Sequence, residues 1–132
     1  MRSEEIDGGI LEHWSPGEVS QAFAKNEIVV IDVRSPPEYM AAAIEGALLA
    51  PIKTLLPDKL PTQDGKPIVF YCGAGGRSRR AAEMSLQNGA ARIAHMEGGF
   101  GAWKKNGLPY IGTEMAPEAA PEAPKGTPDA EE

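Results

Sequence analysis

Short, nearly unbroken apolar runs alternate along this chain with longer segments that carry helix signals. Ile28-Val29-Val30-Ile31-Asp32-Val33 and Ile68-Val69-Phe70-Tyr71 are rich in β-branched and aromatic residues, the pattern of strands covered on both faces in a parallel sheet. Arg92 to Met96 is a further candidate strand, and Gly46 to Pro51 a shorter one. Ser15-Pro16-Gly17-Glu18 and Ser35-Pro36-Pro37-Glu38 are capping boxes with proline at the first helical position. They predict helices running to about Lys25 and Ala43. Thr54 to Leu60 reads as a short helix before Pro61, Arg77 to Asn88 as a helix stopped by Gly89, and Phe100 to Asn106 as one stopped by Gly107 and Pro109. Strands alternating with helices predict an α/β fold on a parallel sheet, whose ligands bind beyond the carboxyl ends of the strands. No internal repeat is present.

At 132 residues the chain is long enough for one domain with a real core. Its net charge of −6 is uneven: the last 20 residues, from Thr113, carry six acids and one lysine, leaving −1 for the rest. That segment spaces Pro117, Pro121, Pro124 and Pro128 among Ala and Glu and lacks the apolar content to offset the cost of ordering. The expected organisation is a flexible N-terminus over residues 1–9, a folded domain over 10–112, and a disordered acidic Pro/Ala-rich tail over 113–132. The tail reads as a solvating segment, with a partner-binding arm as the other reading. No basic stripe or aromatic platform points to nucleic acid. The longest apolar stretch, Tyr39 to Ile52, is interrupted by Glu45, Gly46 and Pro51 and is too short to span a bilayer. An acidic N-terminus without an apolar core and a single cysteine, which can form no internal disulfide, make a cytoplasmic location the expectation.

That cysteine, Cys72, ends the apolar run at Tyr71 and opens Gly73-Ala74-Gly75-Gly76-Arg77-Ser78. A thiol between a strand and the first turn of a helix faces unpaired backbone amides and the positive end of the helix dipole, and glycines let those amides close around it. Such a cradle, with an arginine nearby, lowers a thiol's pKa and turns it into a nucleophile. A free cysteine is more often a small buried hydrophobe, but a core residue needs no anion cradle. Arg77 reads as steering an anionic donor or ordering the loop, with a plain helix-surface cation as the alternative; Arg79 and Arg80 read as solvated cations that raise the local potential. His13 and His95 are isolated in sequence and suggest no metal site. Trp103, at helical spacing from Phe100, reads as core.

Four landmarks in order carry a resemblance over Ser15 to Pro109: Ile31-Asp32-Val33-Arg34 followed by Pro37-Glu38-Tyr39; Ile44-Glu45-Gly46-Ala47; the Cys72 loop; and Gly98-Gly99 with Trp103 before Gly107-Leu108-Pro109. The chain resembles a single-domain rhodanese, a sulfurtransferase. The resemblance implies a three-layer α/β domain with a mostly parallel sheet flanked by helices. It also implies a persulfide on Cys72, and loop positions Gly73, Ala74, Gly75, Gly76, Arg77 and Ser78 that hold the sulfur or the donor anion. It makes Asp32 a scaffold residue and Arg34 a structural partner of Glu38. Related phosphatases share the architecture. In the family a loop of four residues between cysteine and arginine, as here, goes with transfer of one sulfur atom, and a loop one residue longer with a tetrahedral phosphate or arsenate.

The expected chemistry is ping-pong sulfur transfer. Cys72 takes the outer sulfur of thiosulfate or a persulfide and passes it to a thiophilic acceptor such as cyanide or a thiol. No metal or organic cofactor is expected. Partners are a small sulfur donor and acceptor, or a protein persulfide in either role, with no nucleic acid, no membrane and a monomeric chain. The sequence departs from the family pattern at Ala42-Ala43, where many relatives have Gly-His, and at Gly73, often basic in thiosulfate users. With no side-chain charge before Arg77, the loop favours a persulfide over thiosulfate. A rhodanese-like binding module without turnover, and a cysteine-dependent phosphatase, are the alternatives.

Overall fold

The computed structural model describes residues 1–113. Its elements run β1 (Arg2–Ile6), β2 (Gly9–Trp14), α1 (Pro16–Ala24), β3 (Val29–Asp32), α2 (Pro36–Ala41), β4 (Leu48–Leu49), β5 (Ile68–Tyr71), α3 (Gly76–Gln87), β6 (Arg92–Met96) and α4 (Gly99–Lys105). Both capping boxes form. Ser15 Oγ accepts from the Glu18 amide at 3.1 Å and Glu18 accepts from the Ser15 amide at 2.8 Å; Ser35 and Glu38 repeat the exchange at 3.4 and 3.0 Å. Two orphan donors are satisfied at each helix start.

One six-stranded sheet has the order β1-β2-β6-β5-β3-β4. Every pairing is parallel except β1 with β2. Side chains of β5 alternate between its faces. Val69 and Tyr71 enter one core layer with Val19 of α1 and with Phe100 and Trp103 of α4. Ile68, Phe70 and Cys72 enter the other, against Ala81, Ala82 and Leu86 of α3. Val69, Phe70 and Tyr71 are each fully buried, the aromatic and aliphatic burials being worth roughly 1.5–3 kcal/mol apiece over exposure. The result is an α/β architecture of three layers, with the Cys72 loop at the carboxyl end of the central strand β5.

Three expectations are corrected. Residues 1–9, expected as a flexible terminus, supply β1 and the turn into β2, with Arg2 facing His13 and Ile6 facing Gly9 in antiparallel register. The strand expected over Gly46 to Pro51 contracts to Leu48–Leu49. The helix expected from Thr54 to Leu60 is instead two single 3-10 turns, Ile52–Thr54 and Pro57–Lys59, because Pro57 removes an amide and pushes Leu56 out of helical backbone. The acidic tail lies, from Glu114 onward, outside the described residues. Among the described residues no helix is long and apolar enough to cross a membrane.

Candidate active site

β5 delivers Cys72 directly into a turn whose Gly75 adopts φ +117°, a left-handed conformation that suits glycine and starts α3. That turn swings the Gly75 amide to 3.0 Å from Cys72 Sγ. The Ser78 hydroxyl, from the first turn of α3, lies 3.6 Å from the sulfur. Cys72 is 1 % exposed and Ser78 not at all. Burial pushes the Cys72 thiol up, but the Ser78 hydroxyl and the amides of Ser78, Gly75 and Ala74 together outweigh it and hold the thiol below its ordinary pKa. The sulfur is therefore a buried group whose anionic form the surrounding donors stabilise relative to a free thiol.

The cradle is locked from behind by α4. The Phe100 amide donates to the Cys72 carbonyl at 2.7 Å and the Gly101 amide to the Gly73 carbonyl at 3.0 Å. Gly99, at φ +62°, makes this approach possible: a Cβ there would stand 2.5 Å from the Cys72 carbonyl oxygen and 2.7 Å from the Ala74 nitrogen. The Gly98-Gly99 landmark thus has a steric meaning for the loop.

Of the six loop positions named from sequence, Ala74, Gly75 and Ser78 turn donors to the sulfur. Gly73 contributes its carbonyl to the α4 clamp, and Gly76 begins α3. Arg77 points elsewhere. Its guanidinium forks onto Glu38 of α2 at 2.8 and 3.1 Å. A Cβ on Gly73 would lie 3.1 Å from Arg77 Nη2, so the glycine makes room for the pair. Arg77 holds the Glu38 carboxyl down at about 2, against burial and with help from the Ser35 amide and hydroxyl.

Two electrostatic expectations change. Arg34 pairs with Asp32, through Nε at 3.0 and 3.1 Å and Nη2 at 2.8 Å, and not with Glu38. It also donates to the Ala42 carbonyl at 2.6 Å and lies 4.5 Å over the Phe100 ring. Arg79, expected as a solvated cation, is held by Glu4 at 2.9 and 3.1 Å and by Glu83 at 3.0 Å. Trp103 is core, 3 % exposed, with its indole N–H on the Pro109 carbonyl at 2.8 Å.

His13 and His95, isolated in sequence, are partners in the fold. β2 inserts beside β6 and sets the two residues opposite each other in parallel register. His13 Nδ1 is 2.9 Å from His95 Nε2, and His95 Nδ1 is 2.9 Å from Ser78 Oγ. The available signal was a polar residue inside the apolar run Ile93-Ala94-His95-Met96, since a polar group in a buried strand requires a hydrogen-bonding partner. Burial first, and then the neighbouring His13, lower the His95 pKa to about 4.

Residues 15–106 match the rhodanese-like domain. The chain belongs to the rhodanese-like family. It is 33 % identical over 98 residues to a sulfurtransferase of Allochromatium vinosum, covering 73 % of this chain and 91 % of that protein. It is 36 % identical over 103 residues to protein slr1261 of Synechocystis, covering 78 % of this chain and 58 % of that longer protein. Among solved structures, RPA3614 of Rhodopseudomonas palustris, described as a possible tyrosine phosphatase, superposes with a TM-score of 0.68 at 29 % identity, covering 76 % of this chain and 85 % of that one. The rhodanese-like order of elements places the only cysteine of the chain at the position between β5 and α3 described above.

Proposed function

We propose that this protein is a sulfurtransferase that carries a sulfane sulfur as a persulfide on Cys72, taken from thiosulfate or a persulfide and given to a thiophilic acceptor such as cyanide or a thiol. The observation that supports this best is the cradle itself: the Gly75 amide 3.0 Å from Cys72 Sγ, joined by Ala74, Ser78 and the Ser78 hydroxyl, favours the thiolate. In the first half-reaction the thiolate attacks the outer sulfur of the donor, a new S–S bond forms, and the donor's remainder leaves with the electron pair. In the second, the acceptor attacks the outer sulfur and Cys72 leaves as a thiolate. The same amides stabilise negative charge on sulfur in both steps.

Phosphoryl chemistry is disfavoured on two grounds. A 1 % exposed sulfur suits a slim sulfane sulfur better than a tetrahedral oxyanion. The carboxyl beside the loop, Glu38, is ionised far below neutrality and bound by Arg77, so it holds no proton for a leaving group. Both arginines near the loop are engaged by carboxylates, which favours a persulfide donor over the thiosulfate dianion.

Mass spectrometry tests the reading. After treatment with polysulfide or thiosulfate, Cys72 should gain the mass of one sulfur atom, and Cys72→Ser should abolish transfer to cyanide. No added sulfur and an unaffected Cys72→Ser rate would leave a binding module; Cys72-dependent hydrolysis of an aryl phosphate would make it a phosphatase.

A further inference from the structure

The Cys72 sulfur is one end of a polar chain that runs through the interior to the opposite sheet edge. Sγ lies 3.6 Å from Ser78 Oγ, Oγ 2.9 Å from His95 Nδ1, His95 Nε2 2.9 Å from His13 Nδ1, and His13 Nε2 3.0 Å from Glu4 Oε1. Ser78, His95 and His13 are 0, 4 and 3 % exposed, while Glu4 reaches the surface on β1 and is clasped by Arg79. The chain joins α3, β6, β2 and β1, and nothing in sulfur transfer as written above uses its inner half.

Counting hydrogens gives the chain a function. Glu4 is ionised, its carboxyl held at about 2 by Arg79 and His13, so each of the four links needs one hydrogen from the other members. With Cys72 as a thiol there are four, one each from S–H, the Ser78 hydroxyl, His95 and His13, all directed toward Glu4. With Cys72 as a thiolate, Ser78 turns its O–H to the sulfur, and its oxygen must accept from His95 Nδ1–H. His95 Nε2 must then accept from His13 Nδ1–H, while His13 Nε2–H still serves Glu4. That is again four, two of them on His13. A chain that has lost a proton to solvent holds three, and two lone pairs must face each other in a dry site. Ser78 has one other outlet, the Gly75 carbonyl at 3.1 Å, but taking it withdraws the hydroxyl hydrogen from both sulfur and imidazole.

We propose that Cys72 ionises by passing its proton inward along this chain, so that the thiolate forms together with an imidazolium at His13. The S–H bond breaks as its proton joins Ser78 Oγ; the former Ser78 proton moves to His95 Nδ1; the His95 Nε2 proton moves to His13 Nδ1. The electron pair stays on sulfur and the total charge is unchanged. His13 is the terminus because it alone touches a carboxylate, and His95, buried and low in pKa, is the conduit. His95 and His13 are positioning residues, acting on the sulfur through Ser78. The charged groups around the two histidines are Arg2 and Glu4 from β1, Arg79 from α3, and Glu97 after β6, while Arg77 lies on the sulfur side. Glu97 lies 3.8 Å from His13 Nδ1 and is paired with Arg2; Arg77 is paired with Glu38.

This rests on Cys72 as the nucleophile, but its test needs no sulfur donor. The rate of Cys72 alkylation by iodoacetamide, followed from about pH 5 to 10, reads the thiolate directly. In His13→Gln, whose side chain cannot hold the extra proton, the midpoint should rise by about one unit, slowing alkylation about tenfold on the acid side of the wild-type midpoint with the alkaline plateau unchanged. Glu4→Gln, at the partly exposed end, should shift the midpoint the same way by less, and serves if the His13 variant does not fold. The coupling is reciprocal, so in Cys72→Ser the imidazole nitrogen NMR signals of His13 should change from those of a ring carrying both N–H protons to those of a ring carrying one. Alkylation profiles that superimpose on the wild type, or His13 imidazole nitrogen signals unchanged by Cys72→Ser, overturn the proposal; failure of the wild-type protein to transfer sulfur with these shifts intact would instead overturn the sulfurtransferase reading.

Discussion

Arg77 and Glu38 form a bidentate pair, at 2.8 and 3.1 Å, that ties the helix under the thiol to α2. The same carboxylate caps α2 through the Ser35 amide at 3.0 Å. A charge the sequence offers to a donor anion is therefore already neutralised.

Freeing Arg77 should change donor preference. Glu38→Gln leaves the arginine unpaired near the loop and should lower KM for thiosulfate by about threefold or more, with a smaller effect on an uncharged persulfide donor. Arg77→Ala should change thiosulfate KM by less than about threefold. Both partners are more than one third exposed, so the pair itself contributes no more than about 1 kcal/mol to stability. Steady-state kinetics with the two donors check both.

Ser78→Ala removes a buried donor to the thiolate and orphans His95 Nδ1. A hydrogen bond to a charged group is worth about 1.5–3 kcal/mol, so the Cys72 midpoint should rise by about one to two units. Iodoacetamide alkylation against pH measures it. Stability should also fall by about 1–3 kcal/mol in urea melts, the cost of the unsatisfied imidazole nitrogen.

His95 sets an acid limit on the fold. Its folded pKa, about 4, lies below the ordinary 6.5, so between those values the unfolded chain binds more protons and stability falls as pH falls. The stability is complete above pH 6.5 and is lost down to about pH 4, amounting to roughly 1–3 kcal/mol. Urea melts across this window should show the slope, and His95→Gln should flatten it. Glu38, held at about 2, adds a separate loss below about pH 4.5.

Gly99→Ala should dismantle the cradle. The added carbon would meet backbone atoms of Cys72, Gly73 and Ala74 at 2.5 to 2.7 Å, in a left-handed conformation, and backbone atoms have no rotamer by which to yield. A cost above about 2 kcal/mol is expected, with slower alkylation of Cys72 in whatever protein folds. Gly107→Ala, where a Cβ would meet open space although φ is +73°, is the control: it should cost only about 1 kcal/mol and leave Cys72 reactivity unchanged.

What the sequence by itself determined is local in origin. Capping boxes at Ser15 and Ser35, the apolar runs of β3, β5 and β6, and the glycine turn after Cys72 are legible because each depends on residues a few positions apart. Together they made an α/β sheet with a thiol at a strand end, and the ordered landmarks made the family. Only the tertiary structure decided who partners whom. β1 has little apolar pattern of its own and exists because β2 offers it an edge. Arg34 takes Asp32, Glu38 takes Arg77 39 residues away, and His13 meets His95 82 residues away. Such pairings follow from which strands become neighbours and in what register, and strand order is a property of the whole sheet that no local spacing encodes.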